Sequence, residues 1–300
     1  MDLMDALDPI QYSAMFGRQT SGSVVCASCG NLVGVNDPTC YNCGRRNPGL
    51  WGYAGAVRRL GSDMGFVPFV VGFSVAMYVI ALLMSNGDIM GGGLFGILSP
   101  SFQANVLLGA SGSGPVFALD RWWTVLSAGF LHGSLLHIFF NMYWVRQLAP
   151  AVSDLYGPGR MVIIYTASSV IGFLTTSLMG ELLIGVPVPA LLRGAQVTVG
   201  ASAAIFGLLG ALVYYGRRTG STQTYQQALS YAVMMFVLGL VMASIDNYAH
   251  LGGFVGGYIT GRLLDPMQPE RINHMAIALG CLVLSVLSII LSVVHGLYLV

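Results

Sequence analysis

The sequence predicts an all-α polytopic membrane protein preceded by a small polar head, and three observations predict it. Of 300 residues, 55% are hydrophobic and only 8% charged, with a mean hydropathy of +0.73, whereas about a quarter of a globular chain is charged. Long uncharged apolar runs recur from residue 66 onward, matching the roughly 20 residues that cross about 30 Å of hydrocarbon. Four of the five cysteines crowd into one short polar stretch ahead of those runs. Thirteen basic residues against twelve acidic ones, a net charge of +1, leave no electrostatic footprint for nucleic acid. The 40 glycines show no Gly-X-Y period and lie mostly inside apolar runs, where small residues let membrane helices approach closely.

Residues 1–20 read as a flexible N-terminus. Met1 to Ala14 carry three aspartates and lack a basic start and a continuous apolar core, so no signal peptide is expected there. A zinc ribbon is expected over 21–48 and a linker over 49–65. The first span runs from Phe66 to Met84. A long Gly- and Ser-rich segment from Ser85 to Arg121 is too polar and broken to cross. Trp122 and Trp123, residues suited to a membrane interface, are expected to open a second apolar helix reaching about Val145. Further spans are expected at about 160–180, 199–216, 226–245, 248–264 and 274–298, which makes seven.

Orientation follows from the arginines, since the chain has no lysine. Arg18, Arg45, Arg46, Arg58 and Arg59 precede span one; Arg146 and Arg160 flank loop 2–3; Arg217 and Arg218 lie in loop 4–5; Arg262 and Arg271 bracket loop 6–7. All eleven fall on one side, against Arg121 and Arg193 on the other. The positive-inside rule then places the N-terminus in the cytoplasm and the C-terminus outside.

In the polar head, Cys26-x-x-Cys29-Gly and Cys40-x-x-Cys43-Gly are separated by ten residues. Each glycine permits a tight turn, and two such pairs supply four thiolates for a tetrahedral Zn²⁺. A reducing cytoplasmic side argues against two disulfides. The alternative is a pair of redox-active dithiols, which usually occur singly beside a strand-helix pattern absent here. Four cysteines leave no open coordination position, so the metal is expected to be structural, folding the segment or docking a protein partner.

Polar residues inside the spans cluster. Span two contains His132, His137 and Asn141, the last two four apart and so on one helix face. Span four opens on Gly200-Ala201-Ser202-Ala203, and span six on Ala249-His250-Leu251-Gly252-Gly253. Spans two, four and six all run from outside to inside, and all five polar residues fall in their outer halves. Serine and histidine on neighbouring helices form a nucleophile and its general base. His137, Asn141 and the Ser202 backbone N–H are suited to hold a developing oxyanion. Taken singly, each residue reads as packing or an interhelical hydrogen bond; their common depth points to a site.

These motifs, in this order and on these helices, resemble the rhomboid intramembrane serine proteases over roughly Phe66 to Leu264. The resemblance implies a six-helix bundle (66–265) with one extra C-terminal helix (274–298), outside which the ribbon lies. It implies a Ser202–His250 dyad with no acidic third member and no catalytic cofactor, and an oxyanion hole from His137, Asn141 and the Ser202 N–H. It also implies cleavage of single-span transmembrane substrates near their outer ends, from a site opening to the non-cytoplasmic side. Gly200 and Gly253 flank the dyad, Phe206 takes the place of the ring stacked on the catalytic histidine, and His132 would hold the long loop 85–121. Two positions depart from the pattern: Thr124 follows the tryptophans where the family commonly carries Trp-Arg, and Ser153 or Asp154 stands where a glutamate often follows span two. A catalytically silent relative that binds transmembrane helices as a chaperone or adaptor is the alternative, although such relatives usually lose the serine or histidine. A transporter is disfavoured because the inner halves of the helices lack acidic residues.

Overall fold

A computed structural model of the chain describes residues 17–59, 62–85, 96–189, 193–241 and 245–298. Most of the expected flexible N-terminus, residues 1–16, and part of the long loop, residues 86–95, lie outside the described residues.

The head is a two-stranded antiparallel hairpin, β1 (Ser23–Val25) and β2 (Leu32–Gly34), with Val24 opposite Val33. Val24, Val33, Val35 and Ala54 gather around Cys26 and Cys40 in a small core separate from the membrane part. A short helix, α1 (Ala54–Arg59), leads toward the first span.

The membrane part is helical in all seven expected stretches: α2 (Phe66–Leu83), then the short α3 (Phe102–Leu108) and α4 (Thr124–Ser127), α5 (Leu135–Tyr156), α6 (Pro158–Leu182), α7 (Ser202–Thr219), α8 (Thr222–Val241), α9 (Asn247–Leu263) and α10 (Ile272–Leu297). Four of these, α2, α6, α8 and α10, are long and apolar enough to cross a membrane unaided. Helix α9 falls short by its length of 17 residues, and α7 by its composition. They are rich in Gly and Ala, and α7 ends on Arg217 and Arg218; twelve of its eighteen residues are buried, so neighbouring helices rather than lipid surround it.

The second span departs from the expected single helix. Thr124–Phe130 is helical, the chain breaks at Leu131–Ser134, and α5 sets off bent by 95°. The break has local causes: Leu131 turns to extended backbone, and Ser134, extended as well, accepts the His137 N–H at 3.3 Å to cap α5. His132 therefore sits in the break and not on the helix that carries His137 and Asn141. The helix also runs eleven residues past the expected end at Val145, through Pro150 to Tyr156.

Helices α6, α7 and α9 meet backbone to backbone at the centre. A Cβ on Gly253 would collide with the Ala203 carbonyl oxygen, one on Gly257 with the Gly207 carbonyl oxygen, and one on Gly210 with the Phe254 carbonyl oxygen. Gly172 of α6 completes the junction: a Cβ there would lie 2.6 Å from the Ala249 oxygen and 2.7 Å from the Ala203 Cβ. Lipid tails are as apolar as the helices, so this close van der Waals fit, not water exclusion, holds them together. Gly257→Ala is expected to destabilise the detergent-solubilised protein by about 1–3 kcal/mol, the range for overpacking a tight contact. Gly280→Ala on α10, where nothing among the described residues lies within 4 Å of the new methyl, should leave the thermal midpoint unchanged or raised; equal losses at both positions would show that the contact is not limiting.

Candidate active site and metal cluster

Three of the predicted residues sit at the starts of helices at one end of the bundle. Ser202 is the first residue of α7, after Gly200 and the N-cap Ala201; its backbone N–H is among those that a helix start leaves without an intrahelical partner. Gly200, at φ +129°, anchors this turn by donating its N–H to the Ala128 carbonyl at 2.9 Å. A side chain there is excluded: its Cβ would lie 2.6 Å from His137 Nε2, with Asn141 Nδ2 at 3.9 Å. Both nitrogens thus converge on the turn that presents Ser202.

The hydrogen bonds define what those nitrogens offer. His137 Nδ1 accepts the Gly133 N–H at 3.2 Å, so the neutral ring carries its proton on Nε2, the atom facing Gly200. Asn141, 5% exposed, donates one Nδ2 hydrogen to the His137 carbonyl at 2.9 Å and keeps the second.

His250 lies one turn into α9, whose start is capped by Asp246 accepting the Ala249 N–H at 3.0 Å. The imidazole is buried and stacks on Phe206, ring centroids 4.1 Å apart and planes 16° from parallel. Phe206 and Ser202 share a face of α7, one turn apart. Gly253 shares a face with His250, three residues on, and seats α9 on Ala203, the neighbour of Ser202. His132 is 1% exposed and packs edge-on against His137, centroids 5.2 Å apart. Neither of its ring nitrogens meets a hydrogen-bond partner among the described residues.

In the head, the four sulfur atoms of Cys26, Cys29, Cys40 and Cys43 lie within 4.8 Å of one another and form a group able to hold a metal ion. Cys26 and Cys43 are 3.8 Å apart and Cys29 and Cys40 3.6 Å, close to the edge of about 3.8 Å of a tetrahedron with 2.3 Å metal–sulfur bonds. The two halves repeat one design. Gly30 and Gly44 have φ of +76° and +71° and donate N–H to the Cys26 and Cys40 carbonyls, while the Cys26 and Cys40 N–H groups bond the Asn31 and Arg45 carbonyls. Burial pushes the Cys43 thiol up to about 12. Cys29 feels the same burial, but the Asn31 N–H and neighbouring side chains outweigh it and bring this thiol down to about 6.

Residues 119–266 match the rhomboid domain family model. The chain is 28% identical to the rhomboid protease GluP of Bacillus subtilis over 154 residues, half of this chain and 27% of that protein. It is 30% identical to RHOMBOID-like protein 7 of Arabidopsis thaliana over 201 residues, 61% of this chain and 59% of that one. The putative rhomboid protease YdcA of Bacillus subtilis aligns at 26% over 157 residues, 51% of this chain and 73% of that protein. The chain thus spans about a quarter to three-fifths of the length of the first two. The helical bundle, its apolar spans and these matches define an integral membrane protein with a rhomboid domain. Residues 119–266 form its rhomboid domain, and the relatives it matches are rhomboid proteases and rhomboid-like proteins.

Sequence reasoning missed what anchors the loop beside the site. Arg121, counted only as a charge on the outer side, is 1% exposed. Its guanidinium donates to the Val106 carbonyl at 2.7 Å, to Leu107 at 3.4 Å and to Ser292 of α10 at 2.9 Å. Trp123 Nε1 donates to the Ser292 hydroxyl at 3.0 Å. The arginine absent after the tryptophans is therefore present immediately before them, and its signal was a lone charge at the start of an apolar run. At the other departure, Ser153 Oγ donates to the Ser62 carbonyl at 2.6 Å. The carboxylate on this side comes from Glu270, which accepts the Arg160 N–H at 2.8 Å. Arg121→Gln is expected to destabilise the folded protein by about 1–3 kcal/mol, the loss for buried carbonyls left without donors, measured as a lowered thermal midpoint in detergent; an unchanged midpoint would deny the anchoring role.

Proposed function

We propose that the chain is an intramembrane serine endopeptidase acting on single-span membrane proteins. The observation that carries this reading is the stack of His250 on Phe206, one turn from Ser202, beside a turn on which two side-chain donors converge. In the reaction, Ser202 Oγ attacks the scissile carbonyl carbon while His250 takes the hydroxyl proton. The carbonyl oxygen becomes an oxyanion held by the Ser202 N–H, His137 Nε2–H and Asn141 Nδ2–H. As the tetrahedral intermediate collapses, the C–N bond breaks and His250 returns the proton to the leaving amine. Water, deprotonated by the same imidazole, then attacks the acyl-enzyme and releases the carboxylate product and free Ser202. No acidic third member and no cofactor is required.

The site opens at the end where α5, α7 and α9 begin. Arg217, Arg218, Arg262 and Arg271 cluster at the opposite end, and the positive-inside rule assigns that end to the cytoplasm. The ribbon (21–48) and linker (49–65) are then cytoplasmic, and the core of 66–265 is followed by the further span of 274–298. Cys26, Cys29, Cys40 and Cys43 would hold Zn²⁺, whose four filled positions make it a folding element with no part in the chemistry.

Purified protein is expected to cut a model single-span substrate in detergent. Ser202→Ala or His250→Ala should lower the rate by at least about three orders of magnitude, and Asn141→Ala by about 10²-fold; cleavage that survives Ser202→Ala overturns the dyad, and a silent helix-binding relative would show retention of the substrate without cleavage by the unaltered protein. Elemental analysis should find one zinc per chain, lost in Cys26→Ser with Cys43→Ser, while the metal-free protein continues to cleave. A folded but inert metal-free protein would contradict the structural role.

A further inference from the structure

The ribbon does not hang free of the membrane part. Ser28 Oγ donates to the backbone carbonyl of Glu270 at 3.2 Å and accepts from Arg45 Nη1 at 2.5 Å. Between the ribbon and the loop joining α9 to α10 lies a groove of about 530 Å³. Among the described residues its charged lining is one-sided: Arg45, Arg46 and Arg271 face a single carboxylate, Glu270. That carboxylate is already committed, accepting the Arg160 N–H and lying within 3.0 Å of where side chains on Gly157 and Gly159 would begin. Arg45 donates through Nη1 to Ser28, and its Nε is buried with no hydrogen-bond partner among the described residues, so neither nitrogen is paired with a carboxylate.

The position of the groove identifies the acceptor. Arg271 is the N-cap of the 26-residue α10, so the positive end of that helix adds to the guanidinium field. The same residue stands immediately before a span, which puts the groove at headgroup depth. Leu50 and Trp51 form its apolar edge, and Trp51, 61% exposed, is of the type that settles at the membrane interface. A soluble anion would have no use for that edge. We propose that the groove between the ribbon and the α9–α10 loop binds the phosphate of an anionic phospholipid headgroup. The guanidinium groups clamp the phosphate oxygens and the acyl chains leave past Trp51. Lipid bound there fastens the ribbon to the bilayer surface independently of the active site at the opposite end.

The full chain, purified in detergent with its metal, is incubated with dioleoyl phosphatidic acid or dioleoyl phosphatidylcholine, and bound lipid is counted by native mass spectrometry. Phosphatidic acid should be retained and phosphatidylcholine not. Arg45→Gln combined with Arg271→Gln should weaken retention about tenfold or more. Arg217→Gln combined with Arg218→Gln, which removes equal charge from the same end of the bundle, should leave it within about twofold. Equal losses in the two pairs would mean diffuse surface attraction and overturn the site, as would unchanged retention in the first pair. Excess inorganic phosphate should leave the lipid in place; complete displacement would reassign the groove to a soluble phosphate and overturn the lipid assignment. Where the first pair loses its metal, the exposed single variant Arg46→Gln decides: a few-fold weaker retention supports the groove and unchanged retention overturns it.

Discussion

Everything at the end that holds Ser202 and His250 depends on the contact of α7 and α9 through bare backbone. Gly253, Gly257 and Gly210 leave room for carbonyl oxygens of the facing helix, and Gly172 admits α6 against both. In lipid this closeness is itself the attraction, because dispersion falls off steeply with even a small gap. It also sets where the starts of the two helices carrying Ser202 and His250 lie. Ser202 and His250 belong to segments almost fifty residues apart, and the close approach of Gly253 to Ala203 and of Gly257 to Gly207 brings together the two helices that carry them. A histidine has one aromatic wall in Phe206, and that wall is carried by the same helix as the serine, so the stack and the glycine contact constrain each other.

How much of this was legible from the sequence depends on how local each cause is. The grouping of the four cysteines was legible, since the spacing within each pair and its turn glycine act within five residues. Four of the expected spans were legible because composition alone reports them, whereas α7, expected as an ordinary span, is largely sheathed by protein. The break between α4 and α5 was not: hydropathy averages over a window and passes smoothly across Leu131–Ser134, yet a four-residue change of backbone direction moved His132 off the helix of His137. Arg121 escaped for a related reason. An arginine counted for topology is taken to sit in water, whereas here three carbonyls from two distant segments replace that water. Nothing local in residue 121 announces a partner at residue 292.

The two ends of the bundle solve opposite problems. At the end of Ser202, the turns 111–114 and 195–198 pair through backbone hydrogen bonds such as Ser111 with Thr198, holding the approach to Gly200. At the other end, Arg160 donates to the Leu264 and Asp265 carbonyls and its N–H meets Glu270. That stitch ties the α5–α6 turn to the α9–α10 loop and builds the floor on which Ser28 docks. The ribbon thus rests on a loop that is already rigid.

Helix α10 joins these two ends. Helix α10 begins at Arg271, beside the ribbon, and near its far end Ser292 supplies the carbonyl for Arg121 and the hydroxyl for Trp123. Ser292 is fully buried, and Gly109 packs so closely that a Cβ would lie 2.6 Å from its hydroxyl. A burial of this kind needs neighbours on every side, since an arginine in hydrocarbon is tolerated only when backbone or side-chain acceptors replace its hydration. Val106 and Leu107 supply two acceptors from the loop and α10 supplies the third. Helix α10 is therefore what allows a charged loop anchor to be buried at this end, and a chain shortened before residue 272 would lose the Ser292 carbonyl and expose the guanidinium together with the Val106 and Leu107 carbonyls it binds.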